Sequence, residues 1–359
     1  MKILLYEPGN TGHRPVILRY TIKVLEQACI SWIHEARKQE NSAWGLVKKA
    51  RESDCDIIYV LTVDGIAGFT WRVSLIARFY GIRVICTYYL FNNLSAGWKS
   101  WVWRVLLITG NINRVHISDE RLKRGHDRYP KQAWFLPDPW DPDEFPEWTQ
   151  EAARKRLGIT NGATVFLMFG LIDERKGADM FLQASLALAE KRTARAVVFL
   201  LAGQMSPGVR KLYDKCCQHS GGNYSWIGID RRMPEDEVSI YYYATDYLLC
   251  AYPPYFKVSS NTVTRALAAG RPIIVPSHGL NAALVNDCAC GLLFHTGSLS
   301  ALTKTLAEAV ELRCNNIPRY EKMCEVARQT ACSRGLNVYG THLCLSIDSL
   351  MHRDAFRTY

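Results

Sequence analysis

Long apolar runs are missing from this chain. The nearest, Trp101 to Ile108, is short and interrupted by Arg104, so no window approaches the roughly 20 residues of a membrane-spanning helix. At the amino terminus Lys2 is followed only by Ile3, Leu4, Leu5 and Tyr6 before Glu7-Pro8-Gly9, which is too little for a signal peptide and reads as a first strand. CxxC spacing is absent too: the 12 cysteines are scattered, and Cys288 and Cys290 are separated by a single residue. That weighs against a metal site or a disulfide framework and favours buried thiols in a reducing cytosol. The formal charge of +10 favours an anionic partner, yet there is no long Lys/Arg block and no RNA-binding signature. Arg121, Lys123, Arg124 and Arg128, the densest basic group, read as a solvated helix face, so a nucleotide or a phospholipid surface is expected rather than nucleic acid. Nor is a dinucleotide fingerprint complete, because PGNTGHR at 8–14 has two glycines and no acidic residue follows on a clear second strand.

What is present is alternation. The 359 residues exceed what one core usually serves, and 48% hydrophobic with 22% charged residues describes a globular protein of two domains. Strand-like runs at 3–6, 56–63, 83–87, 114–117 and 133–136 alternate with helical patterns, the first helix running through Val16, Leu18, Tyr20, Ile22 and Leu25. Trp98, Trp101 and Trp103 share one helical stretch with Lys99 and Arg104, which suits a membrane interface, a groove for an amphipathic acceptor, or plain packing on the sheet. PDPWDPDEFP at 137–146 has too many prolines for a regular element and reads as an interdomain linker. A second series follows, with strands at 164–169, 196–202, 224–227, 247–250 and 273–275 and closing helices at 299–312, 321–330 and 338–350. The expected fold is α/β, two doubly wound Rossmann-like domains facing across a cleft: 1–140, then 141–335, with 336–359 as a terminal helix placed to pack back on the first.

The most informative stretch is 252–294. Ser259, Ser260 and Asn261 are N-cap types just before the periodic Val263, Ala266 and Leu267, Gly270 stands where a helix stops, and Pro272 opens the strand run Ile273-Ile274-Val275. A helix starting at the edge of a parallel sheet offers N–H groups and a positive dipole end to an anion such as phosphate; the serines could equally do no more than cap it.

FGLIDERKGAD at 169–179, LAG at 201–203, WIG at 226–228, the Pro254-Tyr255 to serine loop and ALAAGRPII at 266–274 stand in order. Together they resemble the carboxyl-terminal donor domain of glycosyltransferase family 4, of the GT-B fold. The amino-terminal half is a looser match, carried by strand one and its glycine loop. The resemblance implies a retaining glycosyltransferase with a nucleotide-diphosphate sugar as donor, UDP favoured over GDP, and a glycan or lipid-linked acceptor in surface polysaccharide or glycoconjugate synthesis. It implies a cytoplasmic enzyme, at the inner face of an anionic membrane if attached, with no metal and no cofactor. Lys176, matching the family's Lys-Gly lysine, Arg175 and His13 become catalytic candidates. Gly170, Gly203, Gly228, Ile229, Tyr255, Lys257, Ser259, Ser260, Asn261 and Thr262 become donor-binding candidates. Gly9, Asn10, Thr11, Gly12, Tyr89, Trp98 and Trp101 fall on the acceptor side. The chain departs from the family pattern at Leu171 and Asp173, where arginine is common, and at Tyr89, where histidine is common. Lys257 and Arg265 stand where many members carry glutamates, as in a branch that uses the Pro-Tyr to serine loop instead; a catalytically silent binding protein is the alternative.

Overall fold

The computed structural model describes residues 1–10, 13–36, 42–63, 66–89, 98–118, 132–191, 195–258 and 260–351, with 98–100 by backbone alone. The chain divides into two compact units, Met1–Pro139 with Gly335–Tyr359, and Trp140–Arg334.

The first unit opens with β1 (Lys2–Glu7), which is buried over most of its length, and α1 (Arg14–Gln27), started by a proline in its first turn. β2 (Ser31–Ala36), α2 (Ala43–Glu52), β3 (Ile57–Val60), α3 (Ala67–Phe79), β4 (Arg83–Thr87), α4 (Trp98–Ile108), β5 (Arg114–Ile117) and β6 (Ala133–Phe135) follow. All pairings are parallel in the order β2-β1-β3-β4-β5-β6.

The second unit begins with α5 (Gln150–Arg156), capped by the Thr149 hydroxyl. It continues through β7 (Thr164–Phe169), α6 (Ala178–Ala189), β8 (Val197–Ala202), α7 (Pro207–Gln218), β9 (Tyr224–Ile229), α8 (Glu235–Ala244) and β10 (Tyr247–Leu249). Then come α9 (Asn261–Ala268), β11 (Ile273–Pro276), α10 (Gly279–Cys288), β12 (Gly291–Phe294), α11 (Leu299–Asn315) and α12 (Ile317–Cys332). Its parallel order is β12-β11-β10-β7-β8-β9. β7 is buried throughout because helices cover both faces: Val165, Leu167 and Phe169 enter one core layer, Phe166 and Met168 the other.

Buried Asp246, just before β10, ties the amino-terminal end of this sheet together. Its carboxylate meets Arg154 at 2.7 Å, Arg313 at 3.0 Å, the Tyr320 hydroxyl at 3.2 Å and the Val165 N–H at 2.8 Å.

α13 (Leu336–Met351) returns to the first unit and packs on α1, with Leu336, Tyr339, Leu343 and Ile347 in the core beside Val16, Tyr20 and Val24. Polar contacts set its register: the Tyr339 and Thr21 hydroxyls lie 2.8 Å apart, His116 Nε2 lies 2.8 Å from the Ser346 hydroxyl, and Arg114 donates to Ser349 at 2.8 Å. Burial, helped by the Arg114 charge, lowers the His116 pKa to about 3, so the ring is neutral there.

Among the described residues each sheet has six strands where five were expected. The added ones, β2 and β12, are edge strands. An edge needs no continuous apolar run, and SWIHEA is half-exposed along most of its length, so its pattern is faint. Among the described residues no helix is long and apolar enough to cross a membrane.

Candidate functional site

In the second sheet the chain order reverses between the neighbours β7 and β10. Connections leaving two such strands run to opposite faces, and open α/β sheets take ligands in the gap at the carboxyl ends. The gap here is a narrow crevice lined by Phe169 at the end of β7, Lys176 beyond it, Cys250 and Tyr252 after β10, and Thr262 in α9.

Lys176 arrives by way of a tight loop. A single 3-10 turn, Glu174–Lys176, is capped by Asp173, whose carboxylate accepts the Lys176 N–H at 3.1 Å. Gly177 then takes a left-handed conformation at φ +72°, where a Cβ would lie 1.9 Å from the Ala251 carbonyl oxygen. Only glycine lets this turn press against the chain leaving β10. The Lys176 ammonium donates to the Phe169 carbonyl at 2.6 Å. Burial lowers its pKa to about 8; the Cys250 thiol and Asp173 oppose that shift and Arg175 adds to it. A lysine so placed, with a neutral carbonyl as its acceptor, gains much from an arriving anion, which favours its charged form.

At the start of α9, Ser260 has the extended backbone of an N-cap, and its carbonyl accepts the N–H groups of Val263 at 2.9 Å and Thr264 at 3.3 Å. Its hydroxyl does not cap. That oxygen lies 2.8 Å from the Tyr252 phenol and 2.7 Å from the Thr262 hydroxyl, so for Ser260 the alternative of a side chain that only caps the helix does not hold. The reason is burial: Tyr252 is only 3% exposed, and an unbonded phenol there costs more than leaving a first-turn N–H to solvent. An ammonium, hydroxyls and a helix start are groups whose chemistry can accommodate a phosphate.

Other candidates stand further off. Arg175 turns to Asp173, Nε to Oδ2 at 3.5 Å. Tyr255 and Lys257 are exposed and do not line the crevice. Gly170 and Gly203 do approach it: a Cβ on Gly203 would lie 1.8 Å from the Gly170 carbonyl, and one on Gly170 would lie 2.9 Å from Lys176 Nζ. Gly228 and Ile229 close β9, and Ile229 accepts the Gly203 N–H at 2.9 Å. Asp230 braces the loop beyond, accepting from Met205 at 2.8 Å and Arg210 at 2.6 Å. Arg265 is ion-paired with Glu235 at 2.8 Å. Asn261 is the first residue of α9, and Ser259 lies outside the described residues. Among the described residues no group of three or more His, Cys, Asp or Glu side chains could hold a metal ion.

In the first sheet the reversal falls between β1 and β3. Glu7, buried at the end of β1, accepts the Gly9 N–H at 2.9 Å and the Thr62 hydroxyl at 2.7 Å, so a carboxylate unnoticed in the sequence shapes the glycine loop. His13 and Tyr89 are brought together, rings 5.2 Å apart. Asn10 is exposed, and Thr11 and Gly12 lie outside the described residues. Of the tryptophan helix, Trp103 is buried against Trp71 and Tyr88, Trp101 is 65% exposed, and Trp98 is described only as the first residue of α4.

Residues 163–311, all within the second unit, match the family model described as Glycosyl transferases group 1. The second unit carries a group 1 glycosyltransferase domain. A curated relative, the D-inositol 3-phosphate glycosyltransferase of Corynebacterium aurimucosum, is 27% identical over 179 residues, 49% of this chain and 41% of that protein. The chain thus matches well under two thirds of that relative's length. Two solved structures cover nearly the whole chain. Sucrose-phosphate synthase from Thermosynechococcus elongatus has a TM-score of 0.72 at 13% identity, with 100% of both chains covered. Anabaena HepE, in complex with UDP and glucose, has a TM-score of 0.67 at 15% identity, with 97% of this chain and 100% of that one covered. At such identity the likeness is one of fold: the chain has the GT-B fold of two Rossmann-like units.

Within the group 1 domain, sequence reasoning missed Cys250, Tyr252 and His278. Cys250 and Tyr252 follow the three-residue strand β10, and only their position after a central strand could have marked them. His278 stands at the start of α10, an element absent from the sequence reading, with its ring against the carbonyls of Pro253 and Phe256.

Proposed function

We propose that the chain is a retaining glycosyltransferase that moves a sugar from a nucleoside diphosphate sugar, UDP favoured over GDP, to a glycan or lipid-linked acceptor in surface polysaccharide or glycoconjugate synthesis. One observation carries the reading: Lys176 lines one crevice with Tyr252 and Thr262, whose hydroxyls are joined through that of Ser260, at the switch point of the unit that matches the group 1 glycosyltransferase model. As the bond from the sugar's anomeric carbon to the diphosphate breaks, negative charge grows on the departing oxygen. A preplaced ammonium, hydroxyls and a helix start stabilise that charge without reorganising. The acceptor oxygen bonds to the anomeric carbon, its proton passes to the departing phosphate, and the nucleoside diphosphate leaves; the protein contributes position and charge.

In this reading the second unit holds the donor. The first unit binds the acceptor, with the loop after β1, His13 and Tyr89 on that side. The UDP preference is supported by the HepE complex with UDP and glucose. Trp101, exposed on α4, and the +10 charge support contact with the anionic inner face of a membrane from the cytoplasm.

The test is a panel of UDP-, GDP-, ADP- and dTDP-sugars offered to the purified chain with lipid-linked and glycan acceptors, and with its Lys176→Ala variant. Turnover with one donor that collapses in the variant supports the proposal; no binding of any of these donors sinks it. Lys257 and the Glu235-paired Arg265, both cations where many relatives carry acids, favour a second reading, a silent sugar-nucleotide binder. Binding without turnover in the parent would select it.

A further inference from the structure

We infer that His278 is a positioning residue that holds the 253–258 loop in place and thereby sets the α9 start against the donor's distal phosphate. The inference rests on the donor-site reading above. His278 Nε2 lies 3.0 Å from the carbonyl oxygens of both Pro253 and Phe256. Carbonyls only accept, so Nε2 carries the proton and donates to them. On the other side Nδ1 lies 2.8 Å from the Thr296 hydroxyl, which can turn to donate or to accept, so the ring is held from both sides whether neutral or charged.

The residues after His278 grip the same loop. Leu280 N–H donates to the Lys257 carbonyl at 3.1 Å. Gly279, at φ +71°, lies so close that a Cβ would be 2.9 Å from Lys257 Cα. Inside the loop the Pro253 carbonyl also accepts the Phe256 N–H at 2.9 Å, closing a turn. The Phe256 ring stacks on Tyr252 with centroids 3.9 Å apart, and the Tyr252 phenol holds Ser260, which in turn holds Thr262. A continuous series of contacts therefore runs from Thr296 through His278, Phe256 and Tyr252 to the hydroxyls of Ser260 and Thr262, the latter lining the same crevice as Lys176. His278 touches no donor atom in this account; it acts through the loop.

The readout is the difference between UDP and UMP, which isolates the distal phosphate. Calorimetry on the full chain is expected to show His278→Ala weakening UDP binding about tenfold while UMP binding changes less than about twofold. Amide exchange across 253–262 should quicken in the same variant. His278→Gln, whose amide N–H can reach the carbonyls, should restore both, and Thr296→Val should fall between parent and His278→Ala. A His278→Ala protein that melts like the parent yet keeps the parent's UDP-to-UMP ratio and loop exchange overturns the inference, as does an equal loss of UDP and UMP. Should His278→Ala fail to fold, Thr296→Val decides by the same two readouts. If the parent binds neither nucleotide, the donor reading for uridine nucleotides has failed, and the exchange comparison decides by itself whether His278 holds the loop.

Discussion

The imidazole of His13 stands edge-on to the ring of Tyr89, centroids 5.2 Å apart and planes at 82°. One residue starts α1 and the other follows β4, so the contact bridges loops at the carboxyl end of the first sheet. Edge-to-face rings attract through complementary charge distributions, and the pair should couple by about 0.5–1.5 kcal/mol in a double-mutant cycle of His13→Ala and Tyr89→Ala followed by urea unfolding. Simple additivity would show that the contact carries no energy.

Lys176 should be the most sensitive position for turnover. Removing a preplaced charge from a developing anion costs about 10²–10³ in kcat, the expectation for Lys176→Ala. Its pH behaviour adds a second check. Below about 8 the free lysine is already charged and binding needs no proton. Above about 8 the free lysine is neutral, so binding a diphosphate must take up a proton and affinity must fall as pH rises. Calorimetry in buffers of different ionisation heat should show that uptake in the parent and not in Lys176→Met.

Two glycine substitutions should move stability in opposite directions. At Gly203 a Cβ would lie 1.8 Å from the Gly170 carbonyl at φ +142°, and Gly203→Ala should cost about 2–4 kcal/mol. At Gly68, inside α3, a Cβ meets nothing within 4 Å, and Gly68→Ala should stabilise by about 0.5–1 kcal/mol. Thermal unfolding of both variants against the parent checks the signs.

Asp246→Ala would leave Arg154, 3% exposed in its side chain, without its carboxylate. Breaking one partner out of a buried ion pair costs about 3–5 kcal/mol, so the urea midpoint of the second unit should drop sharply. An unchanged midpoint would mean that water replaces the carboxylate at little cost.

Acid should loosen the first unit through His116. Its folded pKa is lowered to about 3 from an ordinary 6.5, so between those values the unfolded chain binds the proton and the folded one does not. Stability therefore falls as pH drops from about 6.5 toward about 3, by roughly 3–5 kcal/mol in full. His116→Gln should lose that part of the pH dependence, which equilibrium unfolding at pH 7 and pH 5 would reveal.

Periodicity and punctuation, which act over a few residues, were enough to read two runs of alternating strands and helices, and five ordered motifs were enough to name a family. Buried central strands such as TVFLMF announce themselves because both faces must be apolar; the edge strands β2 and β12 are under no such demand and stayed silent. Lys176 and the α9 start were visible as residue types in loops. Their partners were not. That the Lys176 ammonium lies beside Cys250, that Ser260 gives its hydroxyl to Tyr252 and Thr262 in place of its own helix, and that His278 reaches back to Pro253 all follow from β10 lying next to β7 and β11. Strand order comes from burying whole helices and sheets together, and no local propensity encodes it. The residue types that open α9 were therefore legible in the sequence, while the residues that hold them in place emerged only once the sheet had assembled.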